Sequence, residues 1–317
     1  MVDLPGTEHV VHNAQRAVRV FTFKKTKSTA VLPPRWFLIA ALVLYIAFFA
    51  APVLGSFYYS LTDWDGMNPA PNFIGLENFV TILTQDPDAM NALWNTLRFA
   101  LVVTVASNVL GLGLALLLQR AGRLQTPLRA LSFAPAILSA VVVAFTWDYI
   151  LNSDVGVSAI VHAVAPSVPM PNWLGDAGLV LYTIAGIAVW QGLGITAVIY
   201  QAALKGVPQE LTDAAQIDGA GAWSRFWAVT FPLIAPAFTV NMLLAMLSGL
   251  KIFDLVFVMT QGGPGGASDV LSTHLFQVGF EEFHYGYATA LAVLMFLLVF
   301  ILSFVLLLVL RRREVRG

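Results

Sequence analysis

Polar and apolar positions in this chain come in blocks rather than in alternation. Six apolar runs, Trp36–Ser60, Phe99–Leu118, Leu131–Leu151, Leu179–Leu204, Pro236–Val258 and Tyr287–Leu310, are interrupted by shorter polar stretches. Each run is about 20 to 26 residues long, enough to cross roughly 30 Å of hydrocarbon with some tilt. The pattern predicts an all-α integral membrane fold with six transmembrane helices. It divides the chain into an N-terminal tail, 1–35, a six-span domain, 36–310, carrying a long polar loop at 205–235, and a C-terminal tail, 311–317.

Composition agrees with that class. Of 317 residues 58% are hydrophobic and only 11% charged, and the mean hydropathy is +0.77, against roughly 25% charged residues in a soluble domain. The first apolar run lies too deep and is too long for a cleaved secretory signal, so it is expected to remain as an anchor. A net charge of −1 and the lack of a basic, aromatic-interleaved module give no reason to expect a nucleic-acid partner. With no cysteine, disulfides and thiolate chemistry are excluded. The five histidines, His9, His12, His162, His274 and His284, lack ligand spacing, so no metal site is expected. No set of catalytic groups can be placed together either.

Basic residues near span ends are retained on the cytoplasmic side. With the N-terminus inside, 15 of the 17 Lys and Arg fall inside: Arg16, Arg19, Lys24, Lys25, Lys27 and Arg35 in the tail, Arg120, Arg123 and Arg129 after the second span, Lys205 and Arg225 after the fourth, and Arg311, Arg312, Arg313 and Arg316 at the end. Arg98 and Lys251 are the exceptions, at span ends where a long side chain can snorkel. Acids such as Asp63, Asp65, Asp86, Asp88 and Asp154 populate the other side. Both termini, and the loop 205–235, are expected to be cytoplasmic.

That loop contains ELTDAAQIDGAGAWSRFWAVTFPLIAP, Glu210 to Pro236. Pro208 suits a first helical position, Glu210 and Asp213 suit the positive end of a helix dipole, and Gly219 suits a left-handed cap, so a helix of about 11 residues is predicted. Leu211, Ala214, Ala215 and Asp218 share one face, shallow enough for another surface to approach the backbone. Trp223, Phe226 and Trp227 follow as an interfacial aromatic stripe, and Pro232 and Pro236 mark the start of the fifth span.

Asp213, Ala214, Ala215, Gly219 and Phe231-Pro232 resemble the EAA loop of ABC importer permeases, with Asp for Glu and Phe for Leu. FIGLENF at Phe73–Phe79, the Trp147 region, NWLGD at Asn172–Asp176 and FDLVFVMTQGGPGG at Phe253–Gly266 are similar to the carbohydrate-uptake branch of that family, first permease subunit type, as in maltose and glycerol-phosphate systems. The resemblance implies the type I importer permease fold in the cytoplasmic membrane of a bacterium or archaeon. It also implies a homologous second permease, an ABC ATPase dimer, a periplasmic or extracellular solute-binding protein and a sugar substrate. Glu210, Asp213, Ala214, Ala215, Asp218 and Gly219 would meet the ATPase. ATP and magnesium are expected on that ATPase and no cofactor on this chain, which has no Gly-x-x-x-x-Gly-Lys loop.

Polar residues inside spans face cavities or neighbouring helices. Trp190, Gln191 and Gly192 lie in the fourth span and Ser248, Lys251 and Asp254 in the fifth, and the resemblance puts the sugar path on these two helices. Gln191 suits either an interhelical hydrogen bond or a sugar hydroxyl, and Lys251 and Asp254 are spaced to pair with each other. Gly111-Leu112-Gly113 and Gly192-Leu193-Gly194 read as close helix packing rather than a dinucleotide fingerprint. GGPGGASD, Gly262–Asp269, reads as a flexible turn or as a loop at the cavity mouth. The spans alone also fit a stand-alone secondary carrier or a non-transporting assembly component, although a carrier often needs mid-membrane charges.

Overall fold

The computed structural model describes residues 35–119, 125–152, 155–164 and 170–311. His9, the basic leader from His12 to Lys27, Arg120, Arg123, Asp154, the His162 side chain and Arg312, Arg313 and Arg316 lie outside the described residues. The described chain is helical; its one extended pairing is an isolated bridge between Thr62 and Phe73.

Two compact units divide at Pro52. In the first, the helix Arg35–Tyr45 runs into a wider π-helical turn, Ile46–Ala50, on which Tyr45 and Phe49 stack at 5.1 Å. The apolar helical run Leu38–Tyr59, α1, continues into the second unit. There follow α2 (Glu77–Thr84), α3 (Pro87–Leu117), α4 (Gln125–Ile137), α5 (Ala140–Leu151), α6 (Val157–Val164), α7 (Val180–Lys205) and α8 (Gln209–Ile217). A turn at Ala222–Arg225 and a π-helical turn at Phe226–Thr230 lead into α9 (Phe231–Leu250), followed by α10 (Asp254–Thr260), α11 (Leu271–Phe276) and α12 (Tyr285–Arg311). Two of the three π turns among the described residues end two residues before a proline, Pro52 and Pro232; the third, Gln277–Glu281, has none after it. Proline lacks the N–H of the regular ladder and crowds the carbonyl four residues back, and a wider turn relieves both.

Among the described residues five helical runs are long and apolar enough to cross a membrane: α1, α3, α7, Ala222–Thr260 and α12. A sixth exists if α4 and α5, bent by 103°, form one span. The expected straight span Leu131–Leu151 is therefore broken. Pro135 sits in the last turns of α4, and extended Ser139 starts α5 by accepting the Val142 N–H on its Oγ at 3.3 Å. The second span begins at Pro87 rather than Phe99 because Asp86 caps it, accepting from the Asp88 and Ala89 amides. Its 31 residues rise about 46 Å, more than the roughly 30 Å of a hydrocarbon layer, and Arg98 lies within the helix. The fifth helix stops at Leu250, with Lys251 as cap, rather than reaching Val258.

The packed face of α3 explains how the bundle closes. Most of its buried positions, among them Ala92, Thr96, Ala100, Ser107 and Gly111, are small or polar, with Phe99 and Val103 as the larger members, whereas Leu101, Val105, Val109 and Leu117 are exposed. In lipid there is no hydrophobic drive between helices, so small residues that admit close approach do the packing. A Cβ on Gly249 would lie 2.7 Å from Ala100 Cα, one on Gly111 2.5 Å from Thr196 Cγ2, and one on Gly194 2.4 Å from Ser132 O. These contacts join α9 and α7 to α3, and α4 to α7. Gly113 and Gly192 have nothing within 4 Å, so one glycine of each pair serves packing and the other does not.

Buried polar links reinforce the same three helices. Tyr200 on α7, fully buried, donates to Asn108 Oδ1 on α3 at 2.5 Å, while Asn108 Nδ2 donates to Thr104 O in its own helix. Asn241 on α9 donates to Thr196 O on α7 at 3.2 Å. Nearer the start of α3, Asn78 of FIGLENF donates to Ser60 O and Thr62 O at 2.9 Å each, tying α2 to the end of α1.

Candidate functional site: a cleft at the helix break

The break between α4 and α5 leaves backbone carbonyls without ladder partners, and in hydrocarbon these must be satisfied by protein. Gln191, on α7, supplies one donor: its Nε2 donates to Leu138 O at 3.0 Å. The interhelical bond anticipated for Gln191 exists, and its acceptor is the freed carbonyl of the break.

Around this bond opens a cleft of about 490 Å³. It is bounded by Ala136 and Ala140 at the break, by Gln191 and Gly192 on α7, by Ser248 and Lys251 at the end of α9, and by Asp254 at the start of α10. Five of the six residues expected on a substrate path thus share one cavity. Open space at Gly192 keeps that wall shallow. Trp190 is not part of the cleft; one position earlier on α7, it packs edge-on against Trp147 with ring centroids 5.4 Å apart. Among the described residues Lys251 and Asp254 make no ion pair with each other. Both face the cleft, because the chain breaks at residues 251–253 and so removes the i, i+3 helical spacing. Phe253 also lines the cleft and stacks on Phe257 at 5.0 Å. Sequence reasoning missed the Leu138 carbonyl and Phe253; Pro135 followed by Ser139 was the available signal for the break.

The segment Gly262–Asp269 is a held loop rather than a flexible turn. Asn91 Nδ2 donates to Gly266 O at 2.7 Å, and Asn95 Nδ2 lies within 3.2 Å of the carbonyls of Gly266, Ala267 and Asp269. Leu271 N donates to Thr96 Oγ1 at 2.9 Å, and Ser268 and Val270 are fully buried.

The polar loop forms its helix as α8, nine residues rather than about 11, with Pro208 as the extended cap and not the first helical residue. The far end is closed by Gly219 at φ +83°. Gly219 N donates to Gln216 O at 3.1 Å and Ala220 N to Ala215 O at 2.9 Å, the paired bonds of a Schellman cap. Arg225 Nη1 donates to Gln216 Oε1 at 2.8 Å, bracing α8 against the following turn. Glu210, Asp213, Ala214, Asp218 and Gly219 are exposed and Ala215 half-buried. Ile217 and Trp223, 86% and 75% exposed, add apolar surface beside them.

Residues 107–315 match the family described as binding-protein-dependent transport system inner membrane component. The chain is 33% identical to a probable starch degradation products transport system permease protein of Thermoanaerobacterium thermosulfurigenes, over 88% of this chain and 94% of that one. It is 31% identical to a multiple sugar-binding transport system permease protein of Streptococcus mutans, over 82% and 89% of the two chains. It shares its fold with a chain of a bacterial alginate ABC transporter crystallised with an alginate pentasaccharide-bound periplasmic protein, at a TM-score of 0.76 and 20% identity, covering 89% of this chain and 95% of that one.

Proposed function

The chain belongs to the family of inner membrane components of binding-protein-dependent transport systems, and from that membership we propose that it is the permease subunit of an ATP-driven sugar importer. The relatives named for sugar transport support this reading over a secondary carrier or a non-transporting component. It works beside a homologous second permease, takes sugar from a solute-binding protein outside, and draws on a separate ATPase dimer that binds ATP and magnesium. This chain then contributes a path and a lever, without catalysis of its own. Exposed α8, with its capped end and unpartnered Ile217, has the surface such an ATPase would grip, and rigid-body motion of docked helices is an established switching mode.

The observation that carries the substrate path is the gathering of Gln191, Gly192, Ser248, Lys251 and Asp254 around one cleft at the helix break. An amide, a hydroxyl and two opposite charges suit the hydroxyls of a sugar, and Phe253 suits its apolar face. Trp190 acts from behind, setting α7 through Trp147. Gln191→Ala is expected to weaken uptake by about 5- to 30-fold, equivalent to roughly 1 to 2 kcal/mol for a buried hydrogen bond, with the complex still assembled. Transport kinetics in proteoliposomes read this directly, and unchanged kinetics would confine Gln191 to holding the break.

Topology turns on the bent pair. The 13 residues of α4 and 12 of α5 rise about 18 to 20 Å each, so neither crosses about 30 Å alone. If together they cross, both termini are cytoplasmic and the Lys and Arg asymmetry is preserved; if they do not, Lys205, Arg225 and Arg311 fall outside, against the positive-inside rule. The first arrangement is expected. Ser153→Cys, in the segment outside the described residues, should label only from outside intact cells and Gln119→Cys only from inside, and labelling of both from one side would defeat the six-span arrangement.

A further inference from the structure

A second cleft, of about 590 Å³, lies at the end of the molecule where α3 begins. Carboxylates reach it from three elements: Asp63 and Asp65 from the loop after α1, Asp86 and Asp88 from the start of α3, and Glu282 from the segment before α12. Asp63 and Asp65 hold their own loop, accepting from Asn72 and from the Met67 and Asn68 amides. Asp88 is committed to no side-chain partner among the described residues, and Glu282 faces only His284 at 3.6 Å.

The wall of this cleft contains a buried imidazole. The His274 side chain is only 9% exposed, and its Nδ1 sits 3.2 Å from Asp269 Oδ2. Among the described residues its Nε2 has no hydrogen-bond partner, and it lies 3.8 Å from Asp86 Oδ2, a distance too long for a hydrogen bond. That same oxygen accepts from the Tyr287 hydroxyl. Burial disfavours the imidazolium, but the Asp269 hydrogen bond and the charges of Asp269, Asp86 and Asp88 outweigh it and raise the His274 pKa above the ordinary value. Acidic charge is thus in excess over basic charge in this cleft, and a buried polar atom in its wall is left without a partner among the described residues.

Metal binding does not fit: among the described residues no three ligand-type groups converge on one point. The carboxylates instead ring a space large enough for an organic cation with several donors. We propose that this cleft receives one basic side chain, an arginine or lysine, of the soluble solute-binding protein that docks on this face. The docking partner and the outward position of the cleft rest on the importer reading; the chemistry of the cleft does not. A guanidinium seated against Asp86, Asp88 and Glu282 places positive charge beside His274, so bound cation and bound proton exclude each other. Docking therefore strengthens as pH rises through the His274 pKa and weakens below it, and it weakens with salt.

The assembled complex in nanodiscs, carrying isotope-labelled histidine, tests the cleft first. Methylguanidinium chloride, and not sodium chloride at equal ionic strength, is expected to shift the His274 Nε2 resonance, assigned with His274→Gln, and to lower its titration midpoint. Asp88→Asn combined with Glu282→Gln should abolish that shift, since neither side chain supports the fold. Association of the solute-binding protein with the double variant should be about tenfold slower at low salt and less salt-dependent than with the parent complex. No response to methylguanidinium, or a stronger response to calcium chloride, overturns the cation-receptor assignment, and unaltered association of the binding protein overturns the docking role. Sugar-stimulated ATP hydrolysis by the parent complex, measured alongside, reports the importer reading separately.

Discussion

Replacing Gly219 with valine is expected to leave a membrane-inserted permease that still pairs with its sister subunit but loses sugar-stimulated ATP hydrolysis and uptake together, each by more than about tenfold. Gly219 sits at φ +83°, and a Cβ there would meet nothing within 4 Å. The effect of substitution is thus confined to the backbone, where a left-handed β-branched residue costs roughly 1 to 2 kcal/mol. Leaving that conformation breaks the bonds to Gln216 O and Ala215 O, and the end of α8 that presents Asp218 re-aims. Asparagine tolerates the left-handed region, so Gly219→Asn should retain most of the coupling. Asp213→Lys, which reverses an exposed charge whose side-chain contact is with Gln209, should uncouple as valine does. ATPase and transport assays on the same purified complex are decisive: normal coupling in Gly219→Val and Asp213→Lys would make α8 an ordinary surface hairpin.

The second large effect is expected at Asn95, which is 2% exposed. One amide with two N–H groups serves three carbonyls of the loop 266–269. Asn95→Leu removes the donors and leaves those carbonyls facing an apolar side chain, a loss of about 3 kcal/mol for buried unsatisfied groups. That corresponds to roughly a hundredfold increase in the undocked population of the loop, read as faster amide exchange across residues 262–271. Asn91→Ala should have a smaller effect, because Asn91 is only partly buried and Asn95 remains to hold Gly266. Equal exchange rates in Asn95→Leu and the parent would show that the loop is held by Thr96 and its own internal bonds alone.

Helix positions were legible in the sequence where a block of apolar residues ended in a charge or a glycine. Val180–Lys205 and Tyr285–Arg311 lie within two residues of expectation. Helix faces were not legible. In lipid the outward side is as apolar as the inward one or more so, and the packed side of α3 mixes Phe99 and Val103 with small and polar residues, so no apolar stripe marks it. The break at Ser139 was missed because apolar residues surround it on both sides. Of the polar loop, the left-handed Gly219 was readable from residue type, whereas the exposed Ile217 and the Arg225 brace depend on how α8 meets the next turn. For the cleft, sequence placed its polar residues on two helices; only the bend brings Ala136 and Ala140 up to them and gives Gln191 its acceptor.

The bond between Tyr200 and Asn108 joins residues 92 positions apart, and this has a consequence for synthesis. Chains grow at about 5 to 20 residues per second, so Asn108 is made roughly 5 to 18 seconds before Tyr200 exists. Through that interval one N–H of its amide is already occupied by Thr104 O in its own helix, and the second N–H and the acceptor oxygen are left open. Helix α3 therefore enters the bilayer with this side chain only partly satisfied. Arrival of α7 then supplies the hydroxyl and fixes the rotational setting of the pair.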